Sequence, residues 1–360
     1  MKRGTRTVFI VGAGASVEAG LPTNEELKLK IAELLDIRFK EFGSTQISGS
    51  HDIVASMREK VKMEGKTDIT QYVHSALQIR DALPRLAISI DNFLHSHHED
   101  KEIELCGKLG IVTSILDAER ESIFRLDSAS RSPDRYDLNM AKPNWYEYFF
   151  RMLNEDVKSQ DIETIFDNVT FIVFNYDRCV EHFLVQALSD YYRITMAEAE
   201  KIVRKIHIYH PYGVVGYLPW QEKSPSVPYG SDKGENLILA EQIKTFTEGM
   251  ADKEMIAPIH SAISEAETIV FLGFAFHPIN MKLLKPNDQP TKVTRIFATT
   301  FGLSKADEAI VKIAIYTTLN LDKRLGASKG NIKIGLDNIR CVEFFQQYFR
   351  SLSATANELA

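Results

Sequence analysis

The sequence predicts an α/β fold with a doubly wound parallel sheet. Short apolar segments alternate along the chain with segments of helical periodicity, the pattern of a parallel sheet covered by helices on both faces. The first such segment, 7–11, is apolar on both faces, as expected for a buried parallel strand. It breaks at once into Gly12-Ala13-Gly14 and then returns to a helical pattern. The candidate motifs all follow predicted strands, which is where ligands bind in such sheets.

Six strands are predicted from runs rich in β-branched and aromatic residues. In chain order they are 7–11, 169–174, 206–209, 269–272, 293–298 and 339–344. Helices are predicted at 27–35, at 178–188, after Thr195 and at 304–319. Three of them begin where Ser or Thr is followed three residues later by an acid, which satisfies free N–H groups at a helix start. These starts are Thr23-x-x-Glu26, Thr195-x-x-Glu198 and Ser304-x-x-Asp307.

The strand pattern is interrupted by a long block of helical character. We therefore predict a Rossmann-like core at 1–36 and 161–350, a mostly helical insertion at 37–160 and a frayed tail at 351–360. Within the insertion, helical periodicity occurs at 69–77, 86–93 and 109–125, and the clearest loop is 128–134.

Composition excludes several classes of protein. The 43 basic and 49 acidic residues give a formal charge of −6, which argues against a dedicated, sequence-specific nucleic-acid binder. No apolar run approaches the ~20 residues of a membrane span. The three cysteines form no CxxC pair, which argues against a structural zinc or a disulfide framework. The start of the chain leaves no room for a signal peptide before the first strand, so we expect a cytoplasmic protein.

The turn after the first strand is a candidate phosphate-binding loop. Gly12, Ala13, Gly14 and Ser16 place small residues where backbone N–H groups can approach a phosphate at a helix start. The usual dinucleotide fingerprint has a third glycine where this chain has Val17. The alternative to a nucleotide site is a tight turn without a ligand.

The residues that continue this turn carry a resemblance to a known family. Gly-Ala-Gly-x-Ser-x-x-x-Gly-Leu-Pro at 12–22 resembles the nucleotide-binding signature of sirtuins, which consume NAD. Residues 174–177 resemble the family's Gln-Asn-x-Asp segment, 210–213 the segment of its catalytic histidine, and 272–274 its phosphate and ribose loop. The resemblance covers about 5–25 and 165–345 and implies a Rossmann-like NAD-binding core.

Two departures narrow the resemblance. Deacylating sirtuins have Asp-Phe-Arg after the proline, whereas Pro22 is followed by Thr23-Asn24-Glu25, and they have a four-cysteine zinc module that three cysteines cannot form. The chain thus looks like the sirtuin-like NADases of bacterial antiphage defence, some of which act beside HerA-type ATPases or Argonaute-like proteins. The resemblance implies NAD as the substrate, no metal, a homo-oligomer and no membrane.

The same resemblance implies roles for individual residues. Asn175 and His210 are the predicted catalytic residues, because an amide can orient the ribose hydroxyls or water and an imidazole is a base near neutral pH. His207 and Tyr212 remain alternatives to His210, since the family's histidine directly precedes a glycine. The predicted NAD-binding residues are Gly12, Ala13, Gly14, Ser16, Asp177, Gly273, Phe274 and Asn280.

Other candidates are open to more ordinary interpretations. Asp91 is expected either to line the pocket or to be an N-terminal or exposed helix acid, and Thr299-Thr300 to contact adenosine. His95-x-His97-His98-Glu99-Asp100 is expected to be a solvated loop rather than a metal site.

The predicted function is hydrolysis of NAD to nicotinamide and ADP-ribose, held in check until a partner or signal releases it. Cyclic ADP-ribose as a product is left open. The alternatives are a non-catalytic module that binds NAD or ADP-ribose, a deacylase or ADP-ribosyltransferase, and a nucleic-acid-associated subunit of a larger complex.

Overall fold

A single six-stranded parallel sheet organises the chain. The computed structural model describes residues 5–40, 45–125, 142–231, 235–286, 291–321 and 332–353. The strands are β1 (Thr7–Val11), β2 (Val169–Val173), β3 (His207–Tyr209), β4 (Thr268–Leu272), β5 (Arg295–Thr299) and β6 (Lys333–Asp337). A separate short antiparallel pair joins Arg38–Phe39 to Gln46–Ser48.

The strand order identifies the sheet as doubly wound. It is β3-β2-β1-β4-β5-β6, which is the order of Rossmann dinucleotide-binding sheets. The strand order reverses between β1 and β4, and Val11 is in register with Val173 of β2 and with Leu272 of β4. The turns after these three strands therefore begin at the same level of the sheet, which creates a crevice at their carboxyl ends. The predicted α/β class is confirmed.

The side chains of β1 alternate between two cores. Val8 and Ile10 belong to the core on one face of the sheet, and Phe9 and Val11 to the core on the other. All four are at most 2% exposed. Because both faces are covered, the central strands are apolar throughout instead of alternating with polar residues.

The described helices, apart from short 3₁₀ turns, cover both faces. They are α1 (Ala13–Ser16), α2 (Asn24–Leu34), α3 (His51–Met63), α4 (Thr70–Leu86), α5 (Ile90–Ser96), α6 (Lys101–Glu121), α7 (Trp145–Asn154), α8 (Cys179–Tyr192), α9 (Met196–Val203), α10 (Asn236–Ala240), α11 (Phe246–Ala251), α12 (Lys253–Glu265), α13 (Pro278–Leu284), α14 (Lys305–Thr318) and α15 (Cys341–Ser353). None of these described helices is long and apolar enough to cross a membrane.

The helical block at 37–160 contributes to both layers. Helices α3 to α6 share the core of α2 on one face of the sheet, and α4 and α6 pack directly on α2. Helix α7 lies on the opposite face, where it packs on α15 and α8. The α4–α5 connection at 87–89 runs past α2, where Lys28 Nζ donates to the Ala87 carbonyl at 2.8 Å.

Two of the predicted elements are wrong. Residues 339–344, predicted as the last strand, contain the start of α15, and the last strand is β6. Cys341, Phe344 and Phe345 have the helical spacing that buries one face, whereas β6 is a half-exposed edge strand with little apolar signal. The predicted helix at 86–93 spans the break between α4 and α5.

Two other predicted segments are only partly described. Of the predicted tail at 351–360, residues 351–353 continue α15 and the rest lies outside the described residues. The predicted loop at 128–134 lies wholly outside them.

Candidate active site

Glycines allow two turns of the sheet to touch. Gly12 follows β1 and Gly273 follows β4, and Gly273 has a φ of +54°, which disfavours other residues. A Cβ on Gly12 would lie 2.6 Å from the Gly273 carbonyl oxygen, and a Cβ on Gly273 would lie 2.0 Å from the Ala15 nitrogen. Gly14 donates its N–H to the Gly273 carbonyl at 3.0 Å. The glycines are therefore needed for backbone packing, whether or not a phosphate binds.

A cavity of about 130 Å³ opens beside this contact, at the reversal of strand order. It lies at the carboxyl ends of β1, β2 and β4, where the doubly wound fold places ligands. Residues from seven segments of the chain meet in its wall. Those with polar, aromatic or backbone groups relevant to binding are Gly12, Ala13, Asp91, Asn175, Tyr176, Asp177, Tyr212, Phe274, His277 and Asn280.

Asn175 is fixed by the glycine turn. Its Nδ2 donates to the Gly12 carbonyl at 3.0 Å and to Ser16 Oγ at 2.8 Å, and the side chain is buried. The carboxamide oxygen has no partner among the described residues and is therefore available to a ligand. Ser16 lies behind the cavity wall and acts on it through Asn175.

Two carboxylates line the cavity. Asp177 is buried, and its Oδ1 accepts the Cys179 N–H at 3.1 Å at the start of α8. Asp91, on the first turn of α5, accepts a short hydrogen bond from the buried Tyr176 hydroxyl. Burial raises the pKa of Asp91, an effect that the Tyr176 hydrogen bond partly opposes. Asp91 both lines the cavity and is an acid at the N-terminal end of a helix, so its position fits each of the two interpretations.

Arg178, the residue after Asp177, anchors the start of α8. The Arg178 guanidinium and the Glu119 carboxylate of α6 form a fully buried ion pair. Arg178 also donates to the Val227 carbonyl, so it ties α8 both to α6 and to the loop at 227. Such a pair is costly to break, because either partner alone would be left as an uncompensated buried charge.

Tyr212 and Asn280 are hydrogen-bonded to each other in the wall of the cavity. The Tyr212 hydroxyl donates to Asn280 Oδ1 at 2.5 Å. Burial raises the pKa of Tyr212 far above its ordinary value, so this hydroxyl is a hydrogen-bonding group and not a base. The rings of Phe174 and Tyr212 meet edge to face with their centroids 5.6 Å apart, and Phe174 also packs on Phe274.

His210 lies near Asn175 but does not line the cavity. Its Nδ1 is 3.1 Å from the Asn175 carbonyl oxygen, and its Nε2 is 2.8 Å from Oε1 of Glu181. Burial alone would lower the pKa of His210, but the charge and hydrogen bond of Glu181 raise it above the ordinary value. Both ring nitrogens thus face acceptors, which leaves neither free to accept a proton. Of the two alternatives, His207 is exposed on β3, and Tyr212 lines the cavity.

Of the histidines in the described ranges, His277 alone lines the cavity. It ends the loop after β4, immediately before α13, and is partly buried. Neither ring nitrogen has a hydrogen-bond partner among the described residues, and burial lowers the pKa of the imidazole. Sequence reasoning missed His277, although its place after a strand and before Pro278 marks it as a residue at a sheet crevice.

A second cavity, of about 380 Å³, lies on the other side of the glycine contact. Phe274 and Ala275 line both cavities, and Gly14, Gly273, Thr299 and Thr300 line the second. Thr299 Oγ1 accepts the Gly273 N–H at 2.8 Å. The predicted binding residues other than Ser16 are thus divided between two neighbouring cavities, with the glycine turns between them.

Glu18 joins this site to two distant helices. Its carboxylate accepts the Trp145 N–H of α7 at 2.8 Å and the Val342 N–H of α15 at 2.9 Å. Trp145 also donates its indole N–H to the Ala15 carbonyl at 2.8 Å. A carboxylate at helix N-termini satisfies free donors and favours the helix dipoles. Glu18 lies within the signature at 12–22, but its partners cannot be read from that segment.

The described residues contain no cluster of three or more metal-ligating side chains, and the segment at 95–100 ends α5 and begins the turn into α6.

No protein-family model matches the chain, and no curated protein is significantly similar to it. Chemically, the first cavity offers a free amide oxygen, two carboxylates, two phenols and an imidazole around a small aromatic-walled space. These groups can orient hydroxyls or water and can accept a proton.

Proposed function

We propose that this chain is a sirtuin-like NAD glycohydrolase, which cleaves NAD to nicotinamide and ADP-ribose. The observation that carries the proposal is the carboxamide of Asn175, held by Gly12 and Ser16 with its oxygen free at the crevice of the sheet. Asp177 and Asn280 line the same cavity. The resemblance predicts roles for all three, and the structure brings together Asn175 and Asp177, which follow β2, and Asn280, which lies on α13 after β4.

The size of the two cavities supports the same assignment. Engineered cavities of ~150 Å³ bind benzene, so the first cavity suits one six-membered ring such as nicotinamide. The second cavity, about 380 Å³, suits a larger group and lies directly across the shared wall at Phe274. A dinucleotide that spans the glycine turns would place its scissile bond beside Asn175.

The chemistry needs little acid assistance, because nicotinamide leaves as a neutral amide. Positive charge develops on the ribose as the bond to nicotinamide breaks, and a nearby carboxylate stabilises it. Asp91 and Asp177 supply such charge within the cavity, and the free oxygen of Asn175 accepts a hydrogen bond from water or a ribose hydroxyl. In this scheme His210 is a positioning residue that holds the backbone of Asn175.

The proposal extends to the biological setting. We place the activity in the cytoplasm as a regulated effector of antiphage defence, in a homo-oligomer or beside a HerA-type ATPase or Argonaute-like protein. The helical block at 37–160, as an insertion in the core, is the proposed site of control. Control would be needed because unrestrained NAD hydrolysis would harm the host.

One observation favours a second candidate, a non-catalytic subunit that binds NAD or ADP-ribose. The imidazole that the resemblance identifies as catalytic has both nitrogens engaged by Glu181 and Asn175. A binding module needs no free base, so this arrangement is compatible with a sensor of the nucleotide.

Asn175→Ala distinguishes the two candidates. Purified protein is incubated with NAD, alone and with candidate partners, and nicotinamide release is measured by chromatography while NAD affinity is measured by calorimetry. A hydrolase loses turnover in N175A and keeps much of its affinity, whereas a sensor shows no release in either protein. Asn154→Ala, at the end of α7 and outside the cavity, is the matched control. NAD bound and recovered intact under every condition would refute the hydrolase.

A further inference from the structure

The loop after β4 presents an imidazole to the cavity. From its position and its free nitrogens we infer that His277, and not His210, is the general base of the proposed hydrolysis. The inference rests on the proposed function and assigns a catalytic residue within that site. It also explains how the site could hydrolyse NAD although both ring nitrogens of His210 are engaged by other groups.

The backbone on both sides of His277 is constrained. Phe276 immediately before it has a φ of +55°, which is rare for a bulky residue, and its side chain is 6% exposed. The Phe276 ring packs on Phe271 at 5.2 Å and on Phe274 at 5.3 Å between centroids. Aromatic packing thus maintains a strained residue beside a candidate functional group, as is common at active sites. Because α13 begins at Pro278, His277 is held between two fixed points.

The groups around His277 leave its imidazole able to accept a proton. Partial burial favours its neutral form, and no described side chain bonds either nitrogen. On α12, which packs on α13, His260 bonds the Leu283 carbonyl, away from the loop. The other titratable side chains that line the same cavity are Asp91, Tyr176, Asp177 and Tyr212.

The proposed hydrolysis needs no reactant other than NAD and water. The bond between ribose C1′ and the nicotinamide nitrogen breaks, and its electron pair goes to nicotinamide, which leaves uncharged. A water oxygen forms the new bond to C1′. A ring nitrogen of His277 takes one proton of that water, and the imidazolium then releases the proton to solvent. The products are ADP-ribose, nicotinamide and one proton.

His277→Ala tests the inference, because rescue of the variant by azide is expected for a general base and not for a residue with only a structural role. We expect its NAD hydrolysis to fall about 100-fold or more in kcat, since general base catalysis typically contributes 10²–10⁴. NAD affinity and the thermal midpoint should change little. Azide is already anionic and needs no base, so azide should restore nicotinamide release in H277A and yield the azido-ribose product. His74→Ala, an exposed histidine on α4, is the control.

The pH profile gives a second, independent readout. Wild-type kcat should decline as the pH falls through the pKa of His277, because the imidazolium cannot accept a proton. That acid limb should be absent in the residual activity of H277A and of H277N, the closest isostere.

Hydrolysis in H277A within threefold of wild type, or failure of azide to restore release, overturns the inference. Loss of the acid limb in Asp91→Asn but not in H277A would assign the base to Asp91 and overturn it as well. Absence of hydrolysis in the wild-type protein would instead refute the proposed function itself, and the inference with it.

Discussion

Oε1 of Glu181 lies 2.8 Å from Nε2 of His210, and both side chains are more than nine-tenths buried. The second ring nitrogen faces the Asn175 carbonyl, so both nitrogens face acceptors, and this arrangement favours the protonated imidazole and raises the pKa of His210. This pair lies directly behind the candidate catalytic amide. Its consequences for stability are separate from any role in catalysis.

His210→Ala should lower the free energy of unfolding by about 3 kcal/mol, because it leaves Glu181 as a buried charge without its partner. Adding Glu181→Leu should recover part of that loss. Urea unfolding of the two single variants and the double variant measures the coupling. Full additivity of the two single effects would show that the pair does not interact.

The pH dependence of this pair has a definite sign. Because the folded protein raises the pKa of His210, the stabilisation is fully present below the ordinary value of 6.5 and is lost as the pH rises through the raised pKa. The difference in unfolding free energy between wild type and H210A should therefore shrink on the alkaline side. A difference that grows with pH would contradict the assignment.

His182 should produce the opposite dependence. Burial lowers the pKa of His182 to about 4, while its Nε2 donates to the Phe124 carbonyl and its ring stacks on Tyr229. The unfolded chain binds a proton below pH 6.5 that the folded chain does not, so stability falls between pH 6.5 and 4, by up to about 3 kcal/mol. His182→Phe should reduce this acid dependence in urea unfolding series. His74→Ala should leave it unchanged.

Gly12→Ala should destabilise the protein by about 2 kcal/mol or more, because the added Cβ would lie 2.6 Å from the Gly273 carbonyl oxygen and the two turns must separate. Gly302→Ala is the control, since its Cβ meets nothing within 4 Å and only its φ of +83° is strained, at about 1 kcal/mol. Thermal unfolding ranks the two. A smaller effect for G12A than for G302A would refute the close contact.

Ser16→Ala should affect turnover more than stability. It removes one of the two acceptors that fix Asn175 Nδ2, and the Gly12 carbonyl remains. We expect the loss of a buried neutral hydrogen bond to cost about 1 kcal/mol of stability. If the carboxamide is catalytic, its looser orientation should lower kcat by about tenfold with little change in KM. An effect on KM alone would indicate a role for Ser16 in binding.

Much of the sheet could be predicted from sequence because central parallel strands are apolar on both faces. The strands at 7–11 and 269–272 differ from β1 and β4 by at most one residue. The edge strand β6 could not be found in this way, since it is half exposed and has no such signal. The apolar content of 339–344 predicts a strand, whereas the spacing of Cys341, Phe344 and Phe345 is that of one helix face.

The candidate site also contains residues that could be predicted from the sequence and contacts that could not. Gly12, Asn175, Asp177, Phe274 and Asn280 follow strands, so the topology brings them to one cavity, as expected. The engagement of His210 depends on Glu181, a helix residue that no motif marks. Glu18 likewise depends on Trp145 and Val342, which are 127 and 324 positions away. Such partners are decided by tertiary packing and not by local pattern.

The bond between Glu18 and Val342 also sets an order of assembly. During synthesis on the ribosome, Glu18 emerges 324 positions before Val342. Until α15 emerges, one oxygen of Glu18 lacks its native donor, and the second cavity lacks the wall formed by Ile339, Arg340 and Cys341. A polypeptide that stops before α15 therefore lacks both this contact of Glu18 and part of the wall of the second cavity.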